Sequence, residues 1–146
     1  MLKKVLFFIP ILLIFSCYSS KFPKIQIKMN GKIYKIETAA KDNEKSLGLM
    51  FRKNLSKDGG MLFIYPKKQF LYFYMKNTFI PLDIAFIDDN NVIVDIQSMQ
   101  PLDETTIASK GEAMYALEVN RGFFERIGLK VGDKIEFIDP IPFIAE

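Results

Sequence analysis

Two acids stand in apolar company: Asp83 within LDIAF (82–86) and Glu118 within YALEV (115–119). Carboxylates facing one another across a scissile bond are what glycoside hydrolysis requires, one as acid and the other as base or nucleophile. A hydrolase built on this chain would therefore act through Asp83 and Glu118, or through a Ser-Lys pair in which Lys76 activates a hydroxyl. Histidine is absent from the 146 residues, which excludes Ser-His-Asp and Cys-His arrangements and any histidine-based metal triad. What stays open is chemistry by carboxylates, lysines, tyrosines and hydroxyls, or recognition of a ligand by the same groups. No catalytic residue, metal or cofactor is assigned from these patterns.

The run FYMKNTFIPLDIAF (73–86) joins two apolar stretches through Lys76-Asn77-Thr78. On one reading Asn77 and Thr78 bond to nearby backbone and close a loop, with Pro81 fixing the approach to the next strand. On the other they line a ligand pocket together with Arg52. If the strand carrying Asp83 is covered on both faces, its carboxylate needs a partner, because an unpaired buried charge is expensive; Arg52 is the obvious one. For Glu118, alternation suggests a solvent-facing side chain, and pairing with Arg52 or Lys76 is the other reading. The candidate ligand-binding or structural cluster is thus Arg52, Lys76, Asn77, Thr78, Asp83 and Glu118. Phe70, Tyr72 and Tyr74 share one face of a strand and are read as core residues rather than as a stacking platform. Asp88-Asp89-Asn90-Asn91 lacks the ligand spacing of an EF-hand loop and is read as a turn.

The elements that must position these residues are mostly strands. Ile25, Ile27 and Met29 alternate with polar residues, Asn30-Gly31 suits a hairpin turn, and 32–38 returns antiparallel. A helix is expected over 43–52, weakened by Gly48, and a second over 122–127, stopped by Gly128. Further strands are expected at 61–65, closed by Pro66, and at 70–75, 82–87, 92–97, 114–119 and 134–138. Residues 98–111 form an irregular connection, long enough to be a candidate functional loop. About eight short strands and two short helices indicate a mainly β, β-rich α+β fold, a single antiparallel sandwich, jelly roll or partly open barrel with helices as covers.

The first 16 residues differ from the rest: Lys3 and Lys4 precede an uncharged apolar run at 5–15, the pattern of an export signal. That run is shorter than the roughly 20 residues that span a bilayer. Ile14-Phe15-Ser16-Cys17 resembles the bacterial lipoprotein box, in which the cysteine is acylated and becomes the mature N-terminus; Phe15 is bulkier than usual there. Cys17 is the only cysteine, so no intramolecular disulfide forms, and lipid attachment accounts for an exported thiol. The expected organisation is a signal at 1–16, a tether at 17–24, a β domain at 25–139 and a tail at 140–146. Localisation follows as the cell envelope, with the chain anchored to a membrane through its N-terminal lipid. Without Lys3 and Lys4 the 20 basic side chains fall to 18 against 17 acidic. The charge is then nearly balanced, and no nucleic-acid footprint remains.

Four blocks recur in a fixed order: LGLMFR (47–52), GMLF (60–63), MKNT with IPLDIAF (75–86), and LEV (117–119) followed by Gly122, Gly128 and Gly132-Asp133. In order and spacing they resemble the domain of unknown function 192 family, over about 25–137. The resemblance implies a compact sandwich or jelly-roll domain, often behind an export signal, and no agreed activity. Members often carry tryptophan where this chain has Tyr74, so a site built on an indole face would be altered. The residues before Leu47, commonly rich in arginine or glutamate, are here Asn43-Glu44-Lys45-Ser46. The combined expectation is a lipid-anchored ligand-binding or accessory module for an envelope component, a carbohydrate or another protein, with the histidine-independent hydrolase as the alternative.

Overall fold

The computed structural model describes residues 22–142; the expected signal, the expected lipid-attachment residue Cys17 and most of the expected tether lie outside them. Strands β1 (Lys24–Met29) and β2 (Lys32–Ala39) form the expected hairpin, paired from Lys24 opposite Glu37 to Met29 opposite Lys32. Asn30 and Gly31 take φ of 43° and 79° at its tip, the left-handed geometry for which this dipeptide is suited. Helix α1 (Asp42–Leu47) follows and is shorter than the sequence suggests. Gly48 turns to φ 49°, and the chain leaves the helix five residues before Arg52. At the other end of α1, the Glu44 carboxylate accepts from the Ala40 and Lys41 N–H groups, the carboxylate half of a capping box.

Beyond a loop come β3 (Gly60–Gln69), β4 (Tyr72–Phe73), β5 (Leu82–Ile87), β6 (Ile93–Met99), β7 (Ile107–Ala108), β8 (Ala113–Asn120), α2 (Phe123–Ile127) and β9 (Glu136–Phe137). Seven strands make one sheet in the order β6-β5-β8-β3-β2-β1-β9, and β4 pairs with β7 in a separate ribbon. The large sheet curls strongly into a half-barrel. Its pairs are antiparallel except β2 with β3, which run parallel across the α1 connection. Pro66 does not close β3, which continues to Gln69. It falls where the register with β8 shifts, between Ile64 and Gln69, so the ladder does not need its missing N–H. The irregular 98–111 stretch contains β7, and β4 retains only two of the residues expected at 70–75. The Asp88 turn is held by its own carboxylate, which accepts from the N–H groups of Asn90 and Val92.

Both faces of the sheet are buried. One side packs Leu62, Ala85, Leu117 and Val119 with Ile27, Ile36 and the α2 residues Phe123 and Phe124. The other packs Met61, Phe63, Ile84, Phe86 and Ala116 beneath Leu49, Leu71, Phe73 and Met75. Residues of β3, β5 and β8 therefore alternate between two cores rather than between core and water. That is why these strands read as continuous apolar runs. It also puts the two acids in interior positions.

Candidate functional site

Opposed residues on adjacent strands share a face. Asp83 lies opposite Val119, whereas Glu118 lies opposite Ile84 and Met61, so the two acids project from opposite sides of the sheet. The acid-base pair expected of a glycoside hydrolase does not form. Asp83 is 7 % exposed and fully employed: it accepts from the Ser98 hydroxyl at 2.7 Å and from the Gly122 N–H at 2.7 Å. Its partners are thus a cross-strand serine and the backbone that starts α2, not Arg52.

Arg52 instead reaches Glu37 on β2, with Nη1 to Oε2 at 2.6 Å, and its guanidinium lies over the Phe22 ring. That Glu37 oxygen is buried and has no hydrogen-bond partner of good geometry, so the contact with Arg52 is chiefly ionic. Lys76 is exposed, and among the described residues no serine pairs with it. Asn77 and Thr78 form the loop that the structural reading anticipates: the Thr78 hydroxyl donates to the Lys76 carbonyl, and the Thr78 N–H to that of Met75. Phe51 and Leu102 donate their N–H groups to the carbonyls of Asn77 and Thr78. Phe51, Asn77 and Leu102 all have positive φ, at 64°, 51° and 63°. For phenylalanine and leucine that conformation is strained, and it persists only where the surroundings enforce it. The six candidates thus separate into a loop (Lys76, Asn77, Thr78), an ion pair (Arg52), a brace at the start of α2 (Asp83) and Glu118, and of the other five only Thr78 shares the hollow that Glu118 borders.

Glu118 is 5 % exposed, and neither of the sequence-level readings, solvent exposure or pairing with Arg52 or Lys76, describes it. It borders a hollow of about 90 Å³ shared with Lys45, Ser46, Phe63, Tyr65, Tyr72, Tyr74 and Thr78. No side-chain or backbone donor of the described residues is bonded to its carboxylate, and burial pushes its pKa from 4.5 up to about 8. The neutral acid is therefore the prevailing form at neutral pH in the free protein. Tyr65, on β3, is raised to about 12 by burial and by the nearby Glu118 carboxylate. The Lys45 ammonium sits 4.7 Å from the centre of the Tyr65 ring and is paired with Asp42 at 3.2 Å.

The aromatic strand faces opposite to expectation. Leu71, Phe73 and Met75 are buried, while Phe70, Tyr72 and Tyr74 are 51 %, 65 % and 48 % exposed. Alternation is preserved, but its phase is reversed, and Tyr72 and Tyr74 become the rim of the hollow. Tyr65, Lys45 and Ser46 are site residues that sequence reasoning missed; the strand period places Tyr65 on the face of Met61 and Phe63, the one signal that pointed to it. A wider depression of about 530 Å³ lies among Lys28, Asn30, Asn91 and Lys134. It is bordered by the exposed Lys28–Glu136 ion pair, and none of the polar side chains that line it is buried, whereas the smaller hollow holds a buried acid. Among the described residues no cluster of three or more histidines, cysteines or acids is suited to hold a metal.

The chain resembles proteins from distant sources. It is 30 % identical over 111 residues to UPF0127 protein PF1050 of Pyrococcus furiosus, covering 73 % of this chain and 91 % of that protein. It is also 30 % identical over 96 residues to UPF0127 protein PH1112 of Pyrococcus horikoshii, covering 64 % and 79 %. Among solved structures, a protein of unknown function from Novosphingobium aromaticivorans superimposes with a TM-score of 0.75 at 33 % identity, over 82 % of this chain and 89 % of that one. A Sinorhizobium meliloti protein, described as a candidate transcription regulator, gives 0.74 at 31 % identity, over 80 % and 95 %. The DUF192 family model, described as Uncharacterized ACR, matches residues 25–137. With the four sequence blocks placed on one sheet and its covering segments, this chain belongs to the DUF192 (UPF0127) family.

Proposed function

We propose that the domain is a recognition module that takes part of a small envelope component into the Glu118 hollow, and that an exported chain carries it, tethered to a membrane through lipid on Cys17. The observation that carries the binding reading is Glu118 itself. A carboxyl group so deeply buried costs free energy unless something engages it, and here the open side of the hollow is bordered by exposed tyrosines. At about 90 Å³ the hollow is far smaller than the roughly 300 Å³ at which drug-sized pockets begin. It accepts one functional group, while the rest of the ligand lies across Tyr72 and Tyr74. A carbohydrate or a segment of another envelope protein meets that description. The separation of Asp83 from Glu118 weighs against the hydrolase.

The address rests on the apolar run at 5–15 and on Cys17 as the only cysteine. Two experiments test the two halves. Glycans, cell-wall fragments and small polar compounds are screened by binding-induced thermal shift, with Glu118→Gln and Tyr72→Ala as controls; no shift in the unsubstituted protein for any compound overturns the recognition reading. Mass spectrometry of the mature N-terminus reports acylated Cys17 if the anchor is right, and an intact Met1 or a cut elsewhere if it is wrong.

A further inference from the structure

The chemistry of the hollow selects among ligand groups, and the selection rests on the recognition reading above. Glu118 receives no hydrogen bond from the described residues and is set between Met61 and Ile84 of the neighbouring strands. An incoming anion would hold Glu118 in its protonated form and gain one hydrogen bond from it, without an ion pair. A divalent cation would find one oxygen-bearing acid where such ions require several oxygen ligands, and no acidic cluster stands nearby among the described residues. A neutral hydroxyl could bond to the protonated acid but would leave it neutral and form no ion pair. An organic ammonium group forms that ion pair: it neutralises the ionised carboxylate and, where it carries N–H, also donates to it.

The walls favour the same class. Phe63, Tyr65, Tyr72, Phe73 and Tyr74 border the hollow, and the negative faces of aromatic rings attract cations, most strongly where water is excluded. The protein already uses one of these rings in this way, for Lys45 lies 4.7 Å above Tyr65. The groups facing Glu118 are Lys45 from α1, Tyr65 from β3, Tyr72 from β4 and Tyr74 just beyond it. Of these only Lys45 opposes a cationic guest, and Asp42 pairs with it at 3.2 Å. We infer that the Glu118 hollow is a subsite for an organic ammonium group, held between the carboxylate and the tyrosine rings.

Binding then releases the proton that Glu118 carries in the free protein. In the range where the free acid is protonated, affinity for the ammonium group rises about tenfold per pH unit and flattens near pH 8. The experiment is isothermal titration calorimetry of the protein with choline and ethanolamine, which represent lipid headgroups, with glucosamine as the amino sugar, and with N-acetylglucosamine and glucose as neutral counterparts. The expected result is binding of at least one ammonium compound, tighter at pH 8 than at pH 6. The apparent enthalpy then varies with the buffer's ionisation enthalpy as one proton leaves, and Glu118→Gln weakens binding at least tenfold at pH 8. Preference for choline or ethanolamine assigns the guest to lipid, and preference for glucosamine to sugar. Binding of the neutral sugars alone, or ammonium binding without proton release, overturns the ammonium assignment and leaves recognition standing. No binding by either class overturns the assignment, and the broader thermal-shift screen decides recognition separately. Because proton release is read on the unsubstituted protein, the conclusion does not depend on the folding of any variant.

Discussion

Replacing Glu118 by glutamine removes the charge and keeps the shape, which turns its environment into a measurable slope. The carboxyl group titrates near 4.5 in an unfolded chain and at about 8 in the fold. Between those values the folded protein holds a proton that the unfolded chain has released, so stability falls as pH rises, and the fall stops above about 8. Each pH unit of displacement is worth about 1.4 kcal/mol, so ionising Glu118 within the fold costs on the order of 5 kcal/mol across the window. That is a large part of the roughly 5–15 kcal/mol that holds a domain together. Urea unfolding of both proteins at intervals from pH 5 to about 9 gives the difference curve. It should favour Glu118→Gln increasingly toward alkaline pH and then level off. Asp58 is held below 3.8 by Arg126 and Lys32, and Asp103 by Thr105. Their stabilisation is lost only as pH falls through the acid range, and it cancels between the two proteins. Parallel unfolding curves, or a carboxyl carbon resonance of Glu118 that titrates near 4.5, would refute the reasoning.

Further substitutions at four positions examine the frame of the domain. A Cβ on Gly60 would lie 2.7 Å from the Glu118 carbonyl oxygen and 2.9 Å from Val119 Cγ1, so Gly60→Ala should lower stability by about 1–3 kcal/mol; an unchanged urea midpoint would contradict the close approach of β3 to β8. Arg52→Met strands the buried Glu37 oxygen and should cost about 1–3 kcal/mol, whereas adding Glu37→Gln should recover part of the loss, and additive effects in the double-mutant cycle would show that the pair is not coupled. At Asn77, where φ is 51°, alanine should destabilise by about 1 kcal/mol and glycine by little or nothing; equal melting temperatures for both variants would remove the backbone from the explanation.

The strands were legible because burial on two faces leaves a plain record: 82–87 is apolar except for one acid, and its observed limits are Leu82–Ile87. Asn30-Gly31 and Gly128 were legible as well, since left-handed backbone restricts the choice of residue. Other features left no such trace. The end of α1 depends on how Gly48 packs, with space for a Cβ limited by Phe63 at 3.1 Å, and a distant ring has no signature in a local pattern. The parallel β2–β3 pair and the small β4–β7 ribbon are tertiary outcomes. The phase of the aromatic strand was misread because alternation fixes which residues share a face but not which face meets water.

For the site the same limit applies with more force. Asp83 and Glu118 have identical sequence credentials, each a lone acid in an apolar strand, and only the register separates them. One residue of offset sends Asp83 to the face where Ser98 and the start of α2 supply donors. The same offset sends Glu118 to the face where its neighbours are Met61, Ile84 and aromatic rings. An acid that merely stabilised the sheet would be expected to resemble the first. Because a buried, unpartnered carboxyl group weakens the fold that contains it, the second is where stability has been given up, and sites of that kind are where binding is most usefully sought.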